Sequence, residues 1–186
     1  MFNNRAKLKS VNLDSLPVPL RLELQNLLDG KGSLKSYLEV LANSPLILEA
    51  YLVFGNALEK SSLSPELQAR LSLTLGELTS SSYVVSAATS RAKALGISDE
   101  EIRRARCGES DVPPLSAALK FARQLIGRHG HLRETEFEQL KQHFHEERAI
   151  VEMVAAVAQI YFSSLLNNLA ETPLDHPPAH EIRDRE

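Results

Sequence analysis

Apolar residues recur every three or four positions through most of the chain and nowhere alternate strictly between turn residues, so the pattern predicts helices and no sheet. The first sixteen residues are polar and read as an arm. Pro17 and Pro19 then introduce a short helix through Leu27 and Leu28 that stops at Asp29-Gly30, and Lys31 to Ser33 form a connector. Ser44-Pro45 is an N-cap followed by Pro at the first helical position, and the next helix runs to about Glu59 with Leu46, Ala50, Val53, Phe54 and Ala57 as its apolar face. A second start of the same kind, Ser64-Pro65, opens a helix striped by Leu67, Leu71, Leu75 and Leu78.

Ser80-Ser81-Ser82 reads as a break and a new cap, because serine side chains compete for backbone donors and favour helix starts. The helix from Ser82 to Leu95 carries small residues at Ser86, Ala87 and Ser90 and ends at Gly96. Ser98 and Glu101 spell a capping box for the next helix. Beyond Pro113-Pro114, helices are expected from Leu115 to Gly127 and from about Arg133 to Phe144. A last long one runs from about Glu146 to Glu171, and its apolar residues are too widely spread for a single stripe. A helix apolar on two sides is buried on two sides, and in so short a chain the second side is expected to meet another subunit. The organisation predicted is one all-α domain over 17–174, between the arm (1–16) and a loose polar tail (175–186) closed off from the helix by Pro173.

With 186 residues, 43% of them apolar, the chain can bury one sizeable core without disulfides or metals. A net charge of −3 with no basic stripe argues against nucleic acid as a partner, and the absence of Trp leaves little material for base-stacking platforms. No signal-like start is present and no run approaches the roughly 18 apolar residues of a membrane span, so a cytoplasmic protein without membrane contact is expected. The single cysteine agrees with that compartment.

Ala92-Lys93-Ala94-Leu95-Gly96, followed by Ile97-Ser98-Asp99-Glu100-Glu101-Ile102, resembles a run in the alkylhydroperoxidase D-like branch of the carboxymuconolactone decarboxylase family. That family carries a C-x-x-C motif ahead of a His on a helix ending in Leu-Gly. Anchored on this run, the resemblance covers about Leu41 to Asp175, implies a multi-helix alkylhydroperoxidase D-like bundle, and points to an oligomer. It also implies that the two cysteine positions fall on Ser81 and Val84, the His position on Ala88, and the upstream proton-relay Glu position on Ala69. Glu77, Tyr83, Ala87 and Thr89 match the family pattern around them.

A C-x-x-C works because two thiols one turn apart close a disulfide while the helix start lowers the pKa of one of them. Ser81 and Val84 supply neither, and Ala88 removes the base that would activate a serine nucleophile. Neither peroxidase nor decarboxylase activity is therefore expected. The leading reading is a homo-oligomer with a chemically quiet former site, serving as a scaffold or binding a small, apolar or weakly polar molecule there, with no cofactor.

Two other readings keep an enzyme in view. In one, Glu77 is a buried acid with Ser81, Tyr83 or Ser86 as hydrogen-bond donors; the structural alternative for Glu77 is a capped or paired carboxylate reaching the backbone of 80–82, and for Tyr83 a packing aromatic with a tethered hydroxyl. In the other, Cys107, which follows a run of arginines, is a peroxidatic thiol acting between subunits. His129, His131, His143 and His145, with Glu146 and Glu147, raise the question of a metal; their spacing suits solvated helix ends better, and no metal is expected.

Overall fold

The computed structural model describes residues 7–28 and 35–180, and there the protein is helical throughout, with no strand among the described residues. A 3-10 turn at Leu13–Ser15 precedes α1 (Val18–Leu28), α2 (Lys35–Leu41), α3 (Pro45–Glu59), α4 (Pro65–Leu78), α5 (Ser82–Ala94), α6 (Asp99–Arg106), α7 (Pro113–Gly127), α8 (Glu134–Lys141) and α9 (Glu147–Ala170). The expected stop at Asp29-Gly30 and the connector Lys31 to Ser33 lie outside the described residues. The sequence pattern gave no warning of α2, which is a seven-residue helix.

Local chemistry sets the helix boundaries. Ser44 Oγ accepts from Ile47 N at 3.4 Å and Ser64 Oγ from Leu67 N at 3.2 Å, each ahead of a proline that fits the first helical turn. The capping box forms in both directions: Ser98 Oγ accepts from Glu101 N at 3.2 Å, and Glu101 Oε2 accepts from Ser98 N at 3.3 Å. The two Ser98 bonds, with Arg70 behind them, hold the Glu101 carboxyl below the usual range. Gly96 ends α5 at φ +77°, where a side chain would be strained.

Helix α4 is the hub. It packs against α5, α6, α7 and α9, and Leu67, Ala69, Leu71, Leu73 and Leu75 are all buried along it. Thr74 Oγ1 donates to Ala105 O at 2.6 Å and ties α4 to α6. A second apolar cluster lies toward the N-terminus, where Leu16, Leu20 and Leu24 meet Tyr37, Leu38, Leu48 and Leu52, and Tyr83 enters it from α5.

Three expectations change. The stripe assigned to the inner face of α3 is its outer one: Leu46 is 74% and Val53 62% exposed, while Leu48, Leu52 and Leu58 face the core. Both sets have helical spacing, so periodicity alone could not choose between them. The expectation that no stretch suits a membrane span also needs correcting, since α9 has the length and composition to cross one. Its inner side, with Met153, Ala156, Val157, Ser164 and Asn167, is built into the domain core. Finally, the arm and tail are tied down where they are described. Val11 N donates to Glu39 O at 3.0 Å, Lys7 N to Ala170 O at 3.0 Å, and residues 175–180 are hydrogen-bonded to α2, α5 and α6.

Gly76 fixes the spacing of α4 and α5. A Cβ there would lie 3.0 Å from Val84 Cγ1 and from Val85 Cγ2, and 3.1 Å from the Val85 amide nitrogen. Helix propensity favours Ala over Gly by about 1 kcal/mol in a helix interior, whereas overpacking a tight core costs about 1–3 kcal/mol. Gly76→Ala is expected to be net destabilising. Urea unfolding of the variant beside the wild type checks the sign, which propensity alone would reverse.

Candidate functional site

The four positions matched to the thiol site converge on the α4–α5 contact, where they are packed. Ala69 and Ser81 are wholly buried, and Val84 and Ala88 expose less than a tenth of their surface. The backbone turns sharply before α5, with Ser80 at φ +52° and Ser81 N donating to Gly76 O at 2.8 Å. Ser81 is the N-cap, yet its hydroxyl makes no cap bond, and it is buried without a hydrogen-bond partner. A hydroxyl with no base within reach stays protonated at neutral pH and is a poor nucleophile.

The apolar pocket expected at these positions does not line either of two cavities that the surface presents. One, of about 170 Å³, lies between the 3-10 turn, α1 and α2 beside Asn12, Arg21 and Glu39. The other, an open apolar groove of about 290 Å³, runs between α3 and α9 past Ile47, Phe54 and Phe162.

Glu77 is a paired carboxylate, and its partner is Arg106 rather than the backbone of 80–82. It stands at the rim of α4, with its side chain about a third exposed, and its Oε2 accepts from Arg106 Nε at 2.9 Å. The reason is its place in the last turn of α4, opposite the end of α6 rather than over the start of α5. Arg106 Nη1 also donates to His180 O at 2.6 Å.

Cys107 is half-buried at the C-cap of α6, and its carbonyl accepts from Arg123 Nη1 at 2.6 Å. The arginines before it are each directed to a carboxylate: Arg103 to Glu100, Arg104 to Asp111 and Arg106 to Glu77.

Tyr83 is buried between aromatic rings and polar groups. Its ring lies 6.0 Å from that of Tyr37, which in turn meets Tyr51 edge-on at 5.4 Å. Tyr83 Oη donates to Asp175 Oδ2 at 2.5 Å, and the same carboxylate accepts from Ser36 N at 2.9 Å and from Ser36 Oγ at 2.6 Å. Close by, Ser163 Oγ gives its only proton to Gln159 O at 2.9 Å, so Tyr37 Oη at 3.1 Å and Tyr51 Oη at 3.0 Å both donate to it.

Asp175, Ser36, Ser163, Tyr37 and Tyr51 escaped the sequence reading because the bonds that join them span a hundred residues or more. The only local signal was an acidic residue in a segment of prolines.

Histidines do not converge. α8 ends at Lys141 and α9 begins at Glu147, so His143 and Glu147 are not one turn apart on a single helix. No group of three metal-binding side chains forms among the described residues. Of the two asparagines in α9, Asn168 Nδ2 donates across to Thr79 O at 2.8 Å, and Asn167 Nδ2 turns back to Ser163 O at 2.9 Å.

No protein-family model matches the sequence, and no curated protein does. Solved structures do match the fold. An alkylhydroperoxidase AhpD core protein from Ralstonia eutropha JMP134, described as peroxidase-related, aligns with TM-score 0.81 at 17% identity over 94% of this chain and 98% of its own. A peroxidase-related protein from Silicibacter sp. TM1040 aligns with TM-score 0.79 at 14% identity over 93% and 95%. A cysteine-to-alanine variant of the debrominase Bmp8, in complex with 2,3,4-tribromopyrrole, aligns with TM-score 0.78 at 17% identity over 92% of each chain. The chain has the alkylhydroperoxidase D-like all-α fold. At such identities the likeness concerns the fold, and chemistry has to be argued from the side chains.

Burial pushes the phenols of Tyr37, Tyr51 and Tyr83 above their ordinary value, and the Asp175 carboxylate adds to this at Tyr83. Above about pH 10 the unfolded chain loses phenolic protons that the folded one keeps, so stability falls as pH rises, by about 1.4 kcal/mol per pH unit for each such tyrosine. Urea unfolding between pH 9 and 11 is expected to show this slope and a shallower one in Tyr37→Phe. An equal slope in both would remove Tyr37 from the account.

Proposed function

We propose that this protein is a non-peroxidatic, cytoplasmic scaffold of the alkylhydroperoxidase D-like fold that acts as a homo-oligomer, with the outer faces of α3 and α9 as its interface. The observation that carries the loss of chemistry is the packing of Ala69, Ser81, Val84 and Ala88 into the α4–α5 contact, with no sulfur or base among them and a Cβ-free residue, Gly76, pressed against Val84. The same packing favours a scaffold over a receptor for a small ligand at that place.

Exposed apolar surface supports the oligomer. On α9, Val151, Val154, Ala158, Phe162, Leu165 and Leu169 follow one another every three or four residues, a stripe of about 27 Å at 1.5 Å per residue. Val151 is 67% and Leu169 60% exposed. Helix α3 packs beside it and turns Leu46, Ala50, Val53 and Ala57 outward. Contiguous apolar faces of this size mark contact surfaces. A second copy suits the face better than a membrane: interfacial helices are rich in Lys and Arg, whereas 153–170 carries no charged residue and the charges on α3 are Glu49 and Glu59.

Light scattering on purified protein is expected to give at least a dimer, and Val53→Glu with Leu165→Glu a folded monomer. A monomeric wild type that sediments with anionic vesicles would replace the oligomer with a membrane-surface protein. Peroxide consumption with a dithiol reductant is expected to stay at the reductant blank in the wild type and in Cys107→Ser alike. Turnover that vanishes in Cys107→Ser would overturn the scaffold reading and make that thiol the active group.

A further inference from the structure

The segment after α9 is held across the molecule by a few discrete polar contacts. Asp175 is bonded by Tyr83 Oη, Ser36 N and Ser36 Oγ; Ala179 N donates to Ser86 Oγ at 3.4 Å, and His180 O accepts from Arg106 Nη1. On α5, Tyr83 and Ser86 lie on the side opposite Val84, Val85 and Ala88, which face α4. The segment therefore covers the outer face of α5, together with the Glu77–Arg106 pair beside it.

Its root carries two features that favour letting go. Glu171 sits at φ +53° without being a glycine, and Thr172 Oγ1 is buried with no hydrogen-bond partner. Both are relieved when the segment lifts into water, because the chain leaves the left-handed region and the hydroxyl is hydrated. Pro173, Pro177 and Pro178 offer no backbone N–H, so the segment cannot extend α9 or join a ladder in compensation. What closes it is a set of polar contacts, three of them on the Asp175 carboxylate, with Thr172 N on Asn167 O at 3.2 Å and the Glu171–Lys7 pair holding the root.

We propose that residues 171–180 are a releasable strap, latched by Asp175 on Tyr83 and Ser36, whose opening uncovers the outer face of α5 while the α4-centred core stays folded. The open and closed states differ by local contacts, which places the strap among elements that open well below the global unfolding free energy.

Hydrogen exchange on the full chain tests this. In the wild type, the amides of 175–180 are expected to exchange faster than those of α4 but more slowly than in a free peptide. Asp175→Ala is expected to speed exchange in 175–180 and at Ser36 about tenfold or more, with 70–76 in α4 unchanged. Tyr83→Phe, which removes one of the three bonds, is expected to give a smaller change of the same pattern. A disulfide between Ser86→Cys and Ala179→Cys, made with Cys107→Ser, is expected to suppress strap exchange until dithiothreitol is added.

Strap exchange as slow as that of α4 in the wild type would mean that it opens only with the whole fold and would overturn the proposal. So would an unchanged rate in Asp175→Ala, which would show that the latch is elsewhere. Acceleration in α4 as large as in the strap would make Asp175 part of the global fold rather than a latch.

Discussion

The close approach of α4 and α5 at Gly76 is the constraint on which the rest depends. Because no Cβ stands at Gly76, Val84 and Val85 pack directly on the backbone of α4. That contact sets the height of α5 over the hub helix, and through α5 the position of everything carried on its two sides. On the inner side of α5 the two valine side chains lie against Gly76, and Ser81 at the helix start is wholly buried.

Tyr83 does for the outer side of α5 what Gly76 does for the inner. It is the residue of α5 that enters the N-terminal cluster, so the apolar surface of α1, α2 and α3 is joined to the hub partly through one aromatic ring. Its hydroxyl cannot be buried alone, since an unpaired phenol would forfeit about 1–3 kcal/mol. Asp175 answers that need and simultaneously supplies an acceptor to Ser36 at the start of α2. One carboxylate thereby joins three segments far apart in sequence, which explains how a proline-rich tail can be ordered without secondary structure of its own.

Much of the fold was legible because local rules agree with the tertiary outcome. The Ser-Pro starts of α3 and α4, the Ser98–Glu101 box and Gly96 are short-range chemistry and appear where expected. The face of α3 was not legible, because its inner set, Leu48, Leu52 and Leu58, and its outer set, Leu46, Val53 and Phe54, are equally apolar, and only the neighbour it meets distinguishes them. At the candidate site, the partners of Glu77 and Tyr83 could not be read from the sequence. Arg106 and Asp175 lie 29 and 92 residues away from them, and no spacing rule reaches that far.

Helix α9 shows why an apolar count underdetermines environment. By length and composition it qualifies as a membrane span, yet Ser163, Ser164 and Asn167 on its inner side meet protein, and Ser163 anchors two tyrosines. Polar groups of that kind are placed for hydrogen bonds within a domain, and they would be costly facing lipid. The outer stripe from Val151 to Leu169 has no such groups, so the two halves of one helix follow different rules. On the inner half Ser163 Oγ and Asn167 Nδ2 find backbone acceptors, while Ser164 Oγ is buried without one. The outer half presents apolar area that carries no charge from Met153 onward, a composition suited to contact rather than to hydrogen bonding.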